Sequence, residues 1–171
     1  MSFLAAARAR VAGTPTEVEL HETALLLGVV SITAGLVHAV VVPDHAGEGL
    51  AHGAFFVAAA AFQLGWAAAL LGRVAVRATL RVGIAGNLAI VAVWALSRTV
   101  GVPVGPDAWT PEAVGALDLL ATYDELLLAA GSALLLAGTD AWRLKVVRGM
   151  ALVLAVATLT ALFGGAGHHH G

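Results

Sequence analysis

Hydrophobic and polar positions alternate along this chain by whole segments rather than by single residues. Five long apolar runs, at 23–42, 50–71, 78–97, 113–137 and 149–167, are separated by short polar stretches. The first run holds no charge, and its length matches the roughly 20 residues that a helix needs to cross a bilayer core. The second has Gln63 as its only amide, on the helical face of His45 and His52. The third is bracketed by Arg81 and Arg98, whose side chains reach opposite interfaces by snorkelling, and it places Asn87 near its middle. The fourth is interrupted by Asp118, Asp124 and Glu125, and the fifth is uncharged. The pattern predicts an all-α integral membrane bundle of five transmembrane helices over 23–167. Residues 1–22 form an N-terminal segment, with a short amphipathic start, and 168–171 a His-rich tail.

The polar stretches carry matching start and stop signals. Thr14, Pro15 or Thr16 with Glu19 can cap the first helix, and Glu17, Glu19 and Glu22 complement its dipole. His21, in the same stretch, reads as an exposed interfacial histidine. Residues 99–110 are a turn-rich connector, and Thr110, Pro111 and Glu112 supply a cap, a first-turn proline and an acid for the fourth helix. Gly28, Ser31 and Gly35, like Gly83 and Gly86, are small residues that let a neighbouring helix approach closely.

Composition reinforces the membrane reading: 60% of residues are hydrophobic, 12% are charged, and mean hydropathy is +0.91. The net charge of −2, with basic residues in small groups, gives no footprint for nucleic acid. The chain has no cysteine and two methionines, which excludes disulfides, thiolate sites and covalent haem attachment. Any metal then falls to His and oxygen ligands, a set that favours Zn or Cu(II) over Cu(I) and leaves a bis-histidine haem open. There is no nucleophile elbow, phosphate loop, dinucleotide fingerprint or HExxH, so no enzyme class is indicated.

Charge placement orients the bundle. With five crossings and a cytoplasmic N-terminus, Arg8, Arg10, Arg73, Arg77, Arg81, Arg143, Lys145 and Arg148 lie inside and only Arg98 lies outside, eight of the nine basic residues on one side. This predicts a multi-pass protein of the plasma (inner) membrane with its C-terminus outside. Six of the seven histidines then fall at the outer face.

Candidate chemistry centres on residues 38–52, HAVVVPDHAGEGLAH. A helix opened by Pro43 would put His45, Glu48 and His52 on one face, at i, i+3 and i+7. His38 across the turn and Asp118 from the fourth helix are further candidate ligands for one cation. The alternative is a polar network without metal, in which Gln63, Asn87, Arg98, Asp124 and Glu125 take part and Arg98 pairs with the acidic helix. On the fourth helix Asp118, Thr122, Glu125 and Ser132 form one stripe, while Tyr123 and Asp124 point elsewhere. The terminal GHHHG either concentrates metal or is the remnant of an affinity tag.

The stretches PDHAGEGLAHGAFF (43–56) and GNLAIVAVWALSRTVGVPVGP (86–106) resemble small multi-helix membrane proteins of unassigned function from high-GC bacteria, over residues 23–137. The resemblance implies the fold and no activity. Three functional expectations follow from the residues. The first is an outward-facing transition-metal site for uptake, delivery or a cofactor. The second is a non-catalytic subunit or assembly partner of a larger membrane complex. The third is a proton-coupled carrier using Glu125 and Asp118, which with so few helices points to a homo-oligomer.

Overall fold

The computed structural model describes residues 13–105 and 107–164, apart from the side chain of Glu48. The expectations placed on 1–12 and on the 168–171 tail lie outside the described residues. Within them the chain forms five long helices and no strand: α1 (Glu17–Glu48), α2 (Leu50–Leu71), α3 (Val76–Thr99), α4 (Ala116–Ala137) and α5 (Ala141–Gly164). All five are long and apolar enough to span a bilayer.

The start of α1 is a reciprocal cap. The Thr16 hydroxyl accepts from the Glu19 amide at 3.2 Å, while the Glu19 carboxylate accepts from the Thr16 amide at 2.9 Å. The other end departs from expectation. Instead of opening a second helix, Pro43 sits inside α1, which runs on to Glu48 and breaks at Gly49, φ +148°. Proline costs a helix one backbone donor, and here it falls at an exposed position in the last turns of α1. At 32 residues, α1 is about 48 Å long and overreaches a core of about 30 Å.

Helix α1 is the hub, packing against α2, α4 and α5, while α3 bridges α2 and α4. Helices α1 to α4 thus close a ring, and α5 lies outside it in the groove between α1 and α4. Small residues set the spacing. A Cβ on Gly28 or Gly35 would press on Leu71 or Leu64 of α2, and Ser31 between them donates to the Gln63 carbonyl at 2.8 Å. Gly83 and Gly86 of α3 receive the rings of Trp66 and Phe62, and the Trp66 indole donates to the Thr79 carbonyl at 2.7 Å. Leu27, Val30, Leu70, Leu80, Leu128 and Val147 fill the core nearer the N-terminal end.

Charge is sorted between the two ends. Arg73, Arg77, Arg81, Arg143, Lys145 and Arg148 lie at the end where α1 and α3 begin, and Arg98 lies at the opposite end, beside the 99–115 connector. At the first end Arg148 of α5 pairs with Glu22 of α1 at 2.7 Å, which clamps the outer helix to the hub.

Candidate functional site

The break at Gly49 changes how the histidines are arranged. His45 belongs to α1 and His52 to α2, so they do not share one helical face as the i, i+7 spacing suggested. The turn brings them together in another way: both line a cavity of about 280 Å³ inside the connector end of the ring. Its walls are largely apolar, with Val37, Phe55, Phe56, Ile90, Val93 and Trp94. His38 and Glu125 also line it, and Arg98, Glu112 and Asp118 stand nearer its mouth. A vestibule of about 320 Å³ adjoins it, bordered by His45, His52, Arg98, Asp107, Glu112 and Asp118.

The cavity wall also holds a buried polar pair that spacing does not reveal. Nε2 of His38 lies 2.9 Å from a Glu125 carboxylate oxygen, and both residues are buried, 5% and 1% exposed. The same oxygen accepts from Gln63 at 3.4 Å, and Gln63 also donates to Asn87 at 3.4 Å. Asn87 in turn donates to the Gly83 carbonyl at 2.8 Å. Asn87 thus has an interhelical partner in Gln63, and of the α4 stripe Asp118, Thr122 and Glu125 line the cavity while Ser132 does not. His38, Gln63, Asn87 and Glu125 join α1, α2, α3 and α4 through one hydrogen-bonded chain. With neutral imidazole and ionised carboxylate the pair carries one negative charge, and uptake of one proton on either group makes it neutral.

Arg98 organises the mouth. It donates to Asp118 at 2.7 Å and to Glu112, so it bridges the first turn of α4 and the connector. The Asp118 carboxylate also accepts from the Gly115 amide at 2.9 Å, which caps α4 at Gly115 rather than at Thr110. Residues 110–115 fold back along α3, with the Glu112 amide donating to the Ser97 carbonyl at 3.0 Å. That returning segment is what delivers Glu112 to Arg98.

Among the described residues, no three His, Asp or Glu side chains come together as metal ligands. His38 is committed to Glu125 and Asp118 to Arg98. His45 donates from Nδ1 to the Val41 carbonyl at 2.9 Å and stacks on Phe56 at 4.0 Å between ring centroids. The side chain of Glu48 lies outside the described residues. His21 is exposed at the other end, on the border of a second cavity of about 230 Å³ with Glu17, Leu25, Leu71, Arg73 and Leu80.

Asp124 is separate from all of this. It is fully buried against α5, where the Thr158 hydroxyl donates to its carboxylate at 3.0 Å, and it lines none of the three cavities. Two partners escaped the sequence reading. Thr158 sits unremarked in an apolar run, and nothing about its spacing marks it. Glu112 appeared only as a helix-start acid, although an acid in a connector opposite a lone Arg is a usable signal. No family model, curated protein or solved structure matches this chain.

Proposed function

We propose that this protein is a proton-coupled carrier of the plasma membrane, with the His38–Glu125 pair as its proton-binding centre. The observation that carries the reading is a buried imidazole–carboxylate pair on the wall of a cavity, inside a ring of four apolar helices. Ionisable groups at membrane depth are costly and mark sites of function. The pair can change its charge by one proton without moving a helix. A second cavity at the opposite end of the same bundle supports an alternating route, with Ser31, Gln63 and Asn87 buried between the two.

The proton role passes from Asp118, which the sequence suggested, to His38. Asp118 is tied to a guanidinium and a backbone amide, so protonating it would break the mouth of the cavity. Orientation follows from charge: the arginine-rich end faces the cytoplasm and the Arg98 end faces outward, as the positive-inside rule requires. The transition-metal reading lacks a converging ligand set among the described residues.

A pH jump applied to proteoliposomes on a solid-supported membrane tests the reading. Wild-type protein should give a transient charge displacement, and Glu125→Gln should give none. Equal displacement in the two would contradict it.

A further inference from the structure

We infer that the chamber above Glu125 takes an apolar organic cation: a compact hydrocarbon body bearing one positive charge. The inference rests on the carrier reading and names the substrate class of the same site.

Three features select that class. The first is the wall. Phe55, Phe56 and Trp94 present aromatic rings beside Val37, Ile90 and Val93, a surface that suits a hydrocarbon body and attracts a cation to ring faces. The second is charge. The cavity and vestibule together are bordered by Asp107, Glu112, Asp118 and Glu125 but by a single guanidinium, Arg98. With neutral histidines the mouth holds Asp107, Glu112 and Asp118 against the one guanidinium of Arg98, so an anion is disfavoured there, and at the floor it meets the Glu125 carboxyl rather than a cation. The third is depth. Glu125 lies at the inner end of the apolar wall, where its carboxylate is the counter-charge available to a ligand that has passed Arg98. A hydrated metal ion would have to shed water against hydrocarbon, with no described group of three ligands to replace it.

The cation and the proton then compete for one carboxylate. The groups that bear on Glu125 are few. Helix α1 brings His38, with His45 further out, α2 brings Gln63, with His52 further out, and the connector brings Glu112, which is held by Arg98. Helix α3 brings Asn87 by way of Gln63, and Arg98 at the mouth. On α4 itself Asp118 is held by Arg98, and Asp124 faces α5, whose contribution there is the Thr158 hydroxyl. The charged residues Arg143, Lys145 and Arg148 of α5 sit at the far end.

The probe is phenyltrimethylammonium, titrated calorimetrically into the full chain in nanodiscs, in two buffers of different ionisation enthalpy. Benzenesulfonate and neutral tert-butylbenzene are the controls of like size. The cation should bind with proton release, and neither control should bind. Glu125→Gln should weaken binding at least tenfold, while Asp124→Asn should retain it and report that the fold is intact. Equal binding of either control, or unchanged binding in Glu125→Gln, overturns the cation site. Cation binding without proton release leaves the cation site standing and overturns the coupling in the carrier reading. A pH-driven charge displacement through Glu125 with no cation binding does the reverse.

Discussion

Asp124 and Glu125 are neighbours on α4, both fully or almost fully buried in a bundle of apolar helices, yet they sit in different structures. One residue is about 100° of helix rotation, and that step moves a carboxyl from one helix interface to another. Glu125 turns into the ring of α1 to α4, meets an imidazole that can share its proton, and lines a cavity. Asp124 turns toward α5, meets a hydroxyl, and lines none of the cavities described. Burial and chemical type are therefore shared, while access and the nature of the partner differ. The comparison separates a carboxyl that meets an imidazole on a cavity wall from one that ties α4 to α5.

Removing each partner sharpens that division, beginning with the largest effect. Glu125→Leu strands His38 in the core, and loss of one member of a buried pair costs about 3–5 kcal/mol. The variant should unfold at markedly lower denaturant in mixed micelles, whereas Glu125→Gln, which keeps a hydrogen-bonding group, should lose much less. Thr158→Val removes one interhelical hydrogen bond, a loss of about 0.6 to 2 kcal/mol in a membrane protein. Its unfolding midpoint should fall modestly while the charge displacement after a pH jump stays at the wild-type level. Loss of that displacement would place α5 in the proton route and erase the contrast. Glu112→Gln acts at the half-exposed mouth, where an ion pair is worth about 0.2–1 kcal/mol. Stability should barely change, and binding of phenyltrimethylammonium should weaken less than in Glu125→Gln. The smallest expected effect concerns metal. In protein lacking residues 168–171, zinc measured by elemental analysis should stay well below one per chain, and His45→Ala should not alter it.

Much of the scaffold is legible in residue order. Apolar runs mark the spans, Thr16 and Glu19 mark the first cap, and small residues at 28, 31, 35, 83 and 86 mark close approaches that α2 fills. The Arg98–Asp118 pair is legible too, because a lone basic residue at one interface has few possible partners. The run of α1 through Pro43 is not legible, since proline suits a first helical turn as well as an exposed late one and spacing alone does not choose between them. That single boundary decides whether His45 and His52 share a helix or merely share a cavity. The His38–Glu125 pair is hidden for a different reason. Its members are 87 residues apart, and only the closure of the ring brings them together. Local periodicity places Glu125 on an inward stripe but is silent about what it meets there.

The central claim is that Glu125, and not Asp124, exchanges the proton. Infrared difference spectra between acid and alkaline pH read it directly through the carboxyl C=O stretch of the purified protein in lipid. The account predicts a pH-dependent carboxyl band in the wild type that vanishes in Glu125→Gln and persists in Asp124→Asn. A band that survives Glu125→Gln and disappears in Asp124→Asn would contradict it.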